Sequence, residues 1–372
     1  MNNPFENVKK NFGFGCMRLP MVNGEVDCVE FTKMVDAFLE AGFNYFDTAH
    51  GYLDGKSETA LKTCLTSRYP REKYILTNKL STNFFETNEE IRPLFAGQLE
   101  ACGVEYFDFY LMHAQNTERF VKYKTCRAYE TALELKEEGK IKHLGLSFHD
   151  KADVLDQILT EYPQVEAVQL QLNYVDMEDP MVESRKCLEV CRKHGKPVIV
   201  MEPVKGGALV KLPEDAQQVF TALGGGSNAS YAIRFAASQE GVAMVLSGMG
   251  SMAMMEDNIS FMQEFRPLDE GEQAAVTKVC DIFNSLGGIS CTACRYCTEV
   301  CPKGIPIPDF FMCMNGKVRF DDPGATFFYH ELRKNTGVSA ADCIECGACE
   351  NACPQHLEIR SLLKDVAAAF GE

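Results

Sequence analysis

The sequence predicts a (β/α)8 barrel followed by a small, mostly helical domain that is rich in cysteine. Two observations carry this prediction. Short apolar runs of strand type alternate with amphipathic helical stretches eight times between residues 11 and 265, at a spacing of about 30 residues. Nine of the 17 cysteines then lie between residues 291 and 353, and eight of these nine belong to two copies of one motif. We expect a barrel over 1–265, a helical linker over 266–288, and the cysteine-rich domain with a C-terminal helix over 289–372.

The predicted strands are apolar along most of their length, as expected of a parallel sheet whose outer face is covered. Eight strand–helix units over about 250 residues is the count that closes a (β/α)8 barrel. A doubly wound open sheet is the competing topology, but the first strand is not followed by the G-x-G-x-x-G turn typical of that fold. The predicted strands are residues 12–17, 44–49, 74–79, 108–113, 141–148, 167–173, 197–203 and 242–248.

Each predicted strand is followed by a helical stretch, and several of these stretches end in glycine, the usual residue for a left-handed helix cap. The amphipathic segment 356–370 is expected to pack the small domain onto the barrel, and the segment 302–342 between the cysteine motifs is mixed. The predicted helices are residues 28–42, 57–67, 89–103, 127–140, 151–162, 182–195, 230–241, 251–265 and 270–288.

Composition and charge exclude several classes of protein. With 46% hydrophobic and 24% charged residues the chain is globular rather than disordered or fibrous. The 37 basic and 53 acidic residues give a net charge of −16, which argues against nucleic acid or an anionic membrane as the main partner. No apolar run approaches ~18 residues and the N-terminus lacks the apolar core of a secretory signal, so we expect a cytoplasmic protein without a membrane span.

The cysteine motif C-x2-C-x2-C-x3-C-P occurs twice, at 291–302 and 343–354. In this spacing the first three thiolates bind one 4Fe–4S cluster, and the fourth, followed by proline, ligates the other cluster. Zinc normally takes pairs of C-x2-C, so the repeated fourfold motif favours iron–sulfur clusters. The expected ligands are Cys291, Cys294, Cys297 and Cys353 for one cluster, and Cys343, Cys346, Cys349 and Cys301 for the other. The region 285–356 resembles the bacterial two-cluster ferredoxin module, with a longer gap between the motifs.

Titratable residues follow three neighbouring barrel strands at their C-terminal ends, where the chemistry of such barrels takes place. The second strand ends in Asp47 and is followed by Tyr52, the third ends in Lys79, and the fourth ends in His113. A tyrosine acts as a general acid when a nearby ammonium stabilises its phenolate, and an aspartate holds that lysine in place. A histidine at this edge orients and polarises a carbonyl oxygen.

The motifs GFGCMRLP, FDTAHGYLDGKSE, TNKL and DFYLMHA resemble the aldo-keto reductase superfamily over about 11–265, in order and at familiar spacing. This resemblance implies that Asp47, Tyr52, Lys79 and His113 are the catalytic tetrad. It also implies that the protein reduces aldehydes and ketones with a nicotinamide cofactor laid across the mouth of the barrel.

The same resemblance indicates cofactor contacts, with departures from the family pattern. The family's Ser-Asn pair after the fifth strand is Ser147-Phe148 here, and Met201 replaces the aromatic residue after the seventh strand. Met254 stands at the position where family members carry a basic residue for the 2′-phosphate of NADP(H). No Lys or Arg occurs from 242 to 265, so the sequence favours NAD(H). The implied cofactor contacts are Ser147, Gln169, Asn173, Met201, Ser247, Asp257 and Asn258.

Three functions remain open from the sequence. The first is a nicotinamide-dependent oxidoreductase acting on a small carbonyl or alcohol substrate, with an appended two-cluster electron-transfer domain. The second is a ferredoxin-linked oxidoreductase whose barrel holds a flavin, because hydride carries two electrons and a cubane passes one. The third is a non-enzymatic iron–sulfur interaction or redox-sensing module. The clusters exchange electrons with the barrel, or with an external ferredoxin or other electron-transfer protein, or serve only to hold the C-terminal segment together.

Overall fold

The computed structural model describes residues 3–372, so the first two residues of the predicted 1–265 segment lie outside the description. Eight parallel strands close into a barrel in which the first strand pairs with the last, and the prediction of a (β/α)8 barrel is confirmed. In chain order the strands are β1 (Phe12–Gly15), the short antiparallel hairpin β2 (Met21–Val22) and β3 (Glu25–Val26), β4 (Tyr45–Asp47), β5 (Ile75–Leu80), β6 (Phe107–Gln115), β7 (Ile141–Phe148), β8 (Ala167–Gln171), β9 (Val198–Met201) and β10 (Val242–Gly248).

The end of the barrel where the strands begin is filled by apolar side chains. Tyr45 and Phe109 belong to this core, and Phe5 packs against them with its ring 5.0 Å from that of Phe109. Gly145 allows β7 to approach β8 closely, because a Cβ atom there would lie 2.8 Å from the carbonyl oxygen of Ala167. Because apolar side chains fill this end of the barrel, the polar residues of the strands lie at the opposite end, at the C-terminal ends of the strands.

The helices up to residue 262 follow the predicted stretches closely, apart from two additions. Helix α4 follows β6 and is rich in charged residues, which is why its sequence suggested no amphipathic helix; helix α8 was also not predicted. Helix α2 continues as a π-helical turn over Lys62–Thr66. The helices are α1 (Cys28–Glu40), α2 (Lys56–Leu61), α3 (Asn88–Cys102), α4 (Thr117–Thr125), α5 (Ala128–Glu137), α6 (Ala152–Glu161), α7 (Ser184–Lys193), α8 (Glu214–Thr221), α9 (Asn228–Ala237) and α10 (Met252–Met262).

The chain divides into two compact units. The first contains the barrel and comprises the chain up to Met177, Val182–Pro203 and Ala229–Asp269. The second comprises Glu178–Met181, Val204–Asn228 and Glu270–Glu372. Residues 270–288 of the predicted linker and a segment around α8 therefore group with the cysteine-rich region, whereas residues 266–269 group with the barrel. Its further helices are α11 (Glu270–Ser285), α12 (Tyr296–Glu299), α13 (Ile307–Phe320), α14 (Pro323–Thr336), α15 (Ala348–Asn351) and α16 (Ile359–Ala369).

The C-terminal helix α16 contributes its apolar side to the core of the second unit. Leu363 and Val366 are buried there with Phe310, and the ring of Phe370 stacks on Tyr329 at 4.2 Å. The buried side chains of this helix therefore pack within the cysteine-rich unit, and its packing onto the barrel stays a prediction. Over residues 3–372, none of the helices combines the length and the apolar character needed to cross a membrane.

Candidate functional site

The ammonium of Lys79 lies at the centre of the polar end of the barrel. It donates hydrogen bonds to Asp47 Oδ1 at 2.5 Å, to the carbonyl oxygen of Thr48 at 2.8 Å and to the hydroxyl of Tyr52 at 3.2 Å. All three protons of the ammonium therefore have a partner. Asp47 also accepts a hydrogen bond from Gln169 Nε2 at 3.1 Å. The structure brings the predicted Asp47, Tyr52 and Lys79 together as one hydrogen-bonded group.

Burial and the neighbouring charges decide the protonation states of this group. Burial alone would lower the pKa of Lys79, but the Asp47 carboxylate raises it above its ordinary value, so the side chain remains an ammonium. Burial raises the pKa of the Tyr52 phenol, and the charge of Lys79 opposes that rise without cancelling it. Tyr52 is thus a protonated phenol beside a cation. The sequence suggested only the lowering of the Tyr52 pKa by Lys79, but burial of the phenol outweighs it.

The backbone after Tyr52 is held in an uncommon conformation. Leu53 and Asp54, which follow it directly, have left-handed φ values of 53° and 55°, and Gly55 continues at 84°. Such conformations in non-glycine residues cost free energy and persist where surrounding contacts enforce them. Here Ser57 supplies such a contact, because its hydroxyl donates to the carbonyl oxygen of Cys16 at 2.8 Å. The strained loop presents Tyr52 at the barrel mouth.

His113, the fourth residue of the predicted tetrad, lies in β6 beside Tyr52. Its ring centre lies 6.0 Å from that of Tyr52, and its Nδ1 is 2.5 Å from the hydroxyl of Ser81. Burial and, to a smaller extent, the charge of Lys79 hold the pKa of His113 well below its ordinary value, so the ring is neutral. When Ser81 donates to Nδ1, the proton of the neutral ring is on Nε2, where it serves as a hydrogen-bond donor.

A second layer of polar residues fixes the backbone of Lys79, and sequence reasoning missed it. Asn78 Oδ1 accepts from the backbone N–H of Lys79 at 2.8 Å, and Gln98 donates to the carbonyl oxygen of Lys79 at 3.0 Å. The buried carboxylate of Glu58 accepts from Asn78 at 2.7 Å and pairs with His50 Nδ1 at 2.8 Å. A glutamate on the buried face of α2, close to Ala60 and Leu61, was the available signal.

Of the residues expected to hold the nicotinamide ring, three lie at the ends of neighbouring strands. Ser147 is buried and its hydroxyl accepts from the backbone N–H of Ala114 at 2.7 Å, which leaves the hydroxyl proton available. Gln169 is buried beside Asp47. Met201 is the last residue of β9 and is partly exposed. Phe148 is buried, so it offers no replacement for the amide of the family pattern.

Asn173, another expected cofactor contact, lies in the turn that follows β8. Its amide donates to Asp176 Oδ2 at 2.6 Å and to the carbonyl oxygen of Glu202 at 3.1 Å. Its Oδ1 accepts from the backbone N–H groups of Val175 and Asp176. These bonds use both donors and both acceptor sites of the amide. These bonds close an Asx turn after β8, and a contact between Asn173 and the cofactor stays a prediction.

The residues expected near the adenine and phosphates gather where β10 leads into α10. Ser247 and Asn258 are buried and hydrogen-bonded to each other at 2.8 Å, which ties the helix to the strand. Asp257 is partly exposed on α10, and Met254, near its N-terminus, is 55% exposed. The sequence did not indicate one cation beside this region, Arg18, because it lies far away in sequence. Arg18 follows β1, and a Cβ atom added at Gly248 would lie 3.5 Å from Arg18 Cβ; its guanidinium is 3.5 Å from Glu202.

The two cysteine motifs form two cavities in the second unit. One cavity is lined by Cys291, Cys294 and Cys297 of the first motif together with Cys353 of the second. The other is lined by Cys343, Cys346 and Cys349 with Cys301. Each cavity thus combines three cysteines of one motif with the fourth of the other, the arrangement expected for crossed ligation. The remaining walls include apolar side chains such as Ile305, Leu363, Phe311 and Leu357. Four sulfur donors in an apolar setting suit an iron–sulfur cluster.

Comparison with known proteins identifies both parts of the chain. The sequence model of the Aldo/keto reductase family matches residues 11–281, and a 4Fe-4S dicluster domain matches residues 290–357. The NADH-specific methylglyoxal reductase of Escherichia coli strain K12 is 30% identical over 212 residues, which is 51% of this chain and 61% of that protein. The chain therefore spans about three fifths of the length of the curated relatives it matches.

Solved structures show the same fold. The holo form of aldo-keto reductase AKR11C1 from Bacillus halodurans superposes with a TM-score of 0.59 at 24% identity, covering 73% of this chain and 92% of that one. An aldo-keto reductase from Klebsiella pneumoniae in complex with NADPH gives a TM-score of 0.58 at 19% identity, covering 72% of this chain and 90% of that one. At these identities the likeness concerns the barrel fold.

Proposed function

Because the chain belongs to the aldo/keto reductase family, we propose that its barrel catalyses reversible hydride transfer between a nicotinamide cofactor and a small carbonyl or alcohol substrate. The observation that supports this most directly is the Lys79 ammonium, held between the carboxylate of Asp47 and the hydroxyl of Tyr52. A cation positioned against a phenol at the mouth of a barrel is suited to proton transfer rather than to fold stability alone, since a buried ion pair is a weak source of stability.

In the proposed reaction Tyr52 is the general acid for carbonyl reduction. As negative charge develops on the carbonyl oxygen, the Tyr52 phenol donates its proton, and the resulting phenolate is stabilised by the ammonium of Lys79 at 3.2 Å. Asp47 keeps Lys79 charged and in place. His113, neutral and aligned by Ser81, donates a hydrogen bond to the same oxygen and orients it. In alcohol oxidation Tyr52 acts as the base.

The cofactor proposed for the barrel is NAD(H), which supplies or accepts the hydride when bound. Ser147 and Gln169 would hold the carboxamide, and Met201 would pack on the ring face. The exposed thioether of Met254 offers no charge for a 2′-phosphate. The charge of Arg18, which lies beside Gly248, is balanced by Glu202 at 3.5 Å, and this supports the proposed preference for NAD(H) over NADP(H).

The second unit is proposed to carry two 4Fe–4S clusters, which supply one-electron transfer when present. The eight cysteines that would hold them line the two cavities in sets of four. Cys294 and Cys346 are the exposed members of each set, so both sites have an edge open to solvent. We propose that an external ferredoxin or another electron-transfer protein exchanges electrons at these edges.

The experiment that tests the barrel assignment is anaerobic purification, followed by identification of the bound cofactor by absorbance and mass and by assay against small aldehydes and ketones. Bound NAD(H), or NADH oxidation that depends on the carbonyl, is the expected result. Bound flavin without nicotinamide-dependent turnover would instead support the flavin alternative. A protein that carries clusters but neither cofactor, and that turns over no substrate, would support the redox-sensing alternative.

A further inference from the structure

Helix α4 lies against the catalytic ends of β5 and β6. The hydroxyl of Tyr123 donates to the carbonyl oxygen of Leu80 at 2.5 Å and to that of His113 at 3.0 Å. Phe120 and Tyr123 are buried, and the side chain of Asn116 caps the start of the helix. The helix, which the sequence did not predict, is therefore fixed beside the two strands that carry Lys79 and His113.

Arg119 lies one turn before Tyr123 on the same side of α4. Its guanidinium donates to the carbonyl oxygen of Ala114 at 3.1 Å, and Ala114 directly follows His113 in β6. The side chain is partly exposed. The positive charge of Arg119 also contributes to lowering the pKa of both His113 and His149, which lie at the ends of β6 and β7. These contacts put the guanidinium at the barrel mouth, next to the histidine that orients the substrate carbonyl.

Arg119 differs from Lys79 and Arg18 at the barrel mouth, because each of those two cations is paired with a carboxylate. Lys79 is paired with Asp47, and Arg18 lies 3.5 Å from the carboxylate of Glu202. Within residues 3–372, Arg119 has no carboxylate at ion-pairing distance. The nearby Asp150 instead accepts from the backbone and hydroxyl of Thr117. A guanidinium has five N–H donors, so Arg119 retains donors for a ligand after its bond to Ala114.

We propose that Arg119 binds a carboxylate of the substrate, so that the enzyme acts on small carbonyl compounds that carry a carboxylate near the carbonyl, such as 2-oxo acids and short aldehyde acids. This inference rests on the proposed function of the barrel. The planar guanidinium binds a carboxylate through two parallel hydrogen bonds, which fixes orientation as well as position. Tyr52 and His113 would hold the carbonyl oxygen while Arg119 holds the acid group. In a chain of net charge −16 an anionic substrate needs such a local cation.

The test compares acids with neutral carbonyls of similar size in the complete, cluster-loaded protein with NADH. Pyruvate is matched with butanedione, and succinic semialdehyde with pentanal. We expect higher kcat/KM for the acids in the unmodified enzyme. Arg119→Gln should raise KM for the acids by ~10–100-fold, the loss typical of a charge-assisted hydrogen bond. Its kcat should change little, and its kinetics with the neutral substrates should be unchanged. Arg119→Lys should recover part of the loss.

Two further variants separate charge recognition from support of the helix. Lys124→Gln removes a positive charge from the same helix, but one paired with Glu161, and it should leave the preference for acids intact. Tyr123→Phe removes the anchoring bonds to Leu80 and His113 while the charge of Arg119 remains. If Arg119 acted only by holding the helix, Arg119→Gln and Tyr123→Phe would both reduce turnover of acids and neutral substrates alike. That result would overturn the proposal.

Binding of oxamate, an unreactive acid, to the protein–NADH complex gives a readout independent of turnover. Calorimetry should show binding that weakens at least ~10-fold in Arg119→Gln. Neutral carbonyls reduced as efficiently as the matched acids would overturn the Arg119 proposal and leave the proposed function standing. Failure to reduce either series, with oxamate binding that depends on Arg119, would overturn the proposed function and support the anion site.

Discussion

Substitution of Tyr52 by phenylalanine separates the chemistry of the site from its stability. The change removes the hydroxyl, which is 3.2 Å from Lys79 Nζ, and keeps the ring. Lys79 retains its two shorter bonds, to Asp47 at 2.5 Å and to the carbonyl oxygen of Thr48 at 2.8 Å. Only the longest of the three bonds is lost, so the free energy of unfolding should fall by about 1 kcal/mol.

The loss in catalysis should be much larger than the loss in stability. Without the hydroxyl no group in this cluster is placed to protonate the carbonyl oxygen, and general acid catalysis contributes ~10²–10⁴-fold to a rate. This factor corresponds to ~2.7–5.5 kcal/mol in the activation free energy, several times the expected change in unfolding. Cofactor binding should persist because Ser147, Gln169 and Met201 are unaltered.

Substitution of Lys79 by methionine should reduce turnover by a comparable factor for a different reason, and should also destabilise the fold. It leaves the buried carboxylate of Asp47 with Gln169 but without its cation. Breaking a buried ion pair on one side costs ~3–5 kcal/mol. The variant combining Tyr52→Phe with Lys79→Met should turn over little more slowly than either single variant, because groups that act as a unit are not additive.

The assay is single-turnover oxidation of NADH against a panel of small aldehydes and ketones, with thermal unfolding measured on the same samples. Equal rates of hydride transfer for the unmodified protein and Tyr52→Phe would refute the reasoning. The tetrad would then be an unused remnant of the fold, and the flavin or ferredoxin-linked alternative would become the better account. A large loss of folded protein in Tyr52→Phe would contradict the stability argument separately.

Three further predictions concern the other parts of the molecule. Anaerobically prepared protein should contain about eight irons per chain by metal analysis, and Cys294→Ser should abolish one cluster while the barrel stays folded; stoichiometric zinc with little iron would contradict this. Calorimetry should show tighter binding of NADH than of NADPH, and Met254→Arg should raise the affinity for NADPH relative to that for NADH. Tighter binding of NADPH by the unmodified protein would contradict this and would indicate that Arg18 binds the 2′-phosphate. Glu58 raises the pKa of His50, so their ion pair contributes fully to stability below the ordinary histidine pKa of about 6.5. This contribution is lost as the pH rises through the raised pKa. Tm measured from pH 6 to 9 should therefore show a step that the His50→Gln variant lacks.

The barrel and the central group of the site could be predicted because short stretches of sequence are enough to indicate the strands and the residues at their ends. Strand periodicity locates Lys79 and His113 at strand ends, and a parallel barrel brings all such ends to one face whatever the details of packing. The cysteine spacing likewise encodes which thiolates share a cavity, since three positions in one tight loop and one before proline leave few geometries. Both features depend on residue type and spacing alone.

The parts that sequence did not predict depend on contacts between distant segments or on competition for hydrogen bonds. Arg18 reaches Gly248 because the first strand pairs with the last, and no stretch of sequence near 247–259 records that neighbour. Asn173 stands where a ligand contact was expected, but its amide is used up by Asp176 and Glu202. Whether a polar side chain bonds to the protein or to a ligand depends on which hydrogen-bond partners lie next to it in the folded chain.

The same distinction explains how this site divides its work between two cations. Lys79 is buried and its charge is balanced by Asp47, so it stabilises a developing phenolate on Tyr52 but presents little net charge to an approaching molecule. Recognition of substrate charge would then require a cation outside the buried group, which is the position that Arg119 occupies. Changes at Lys79 should therefore act mainly on kcat, and changes at Arg119 mainly on KM, because only the first contributes more to the transition state than to the bound substrate.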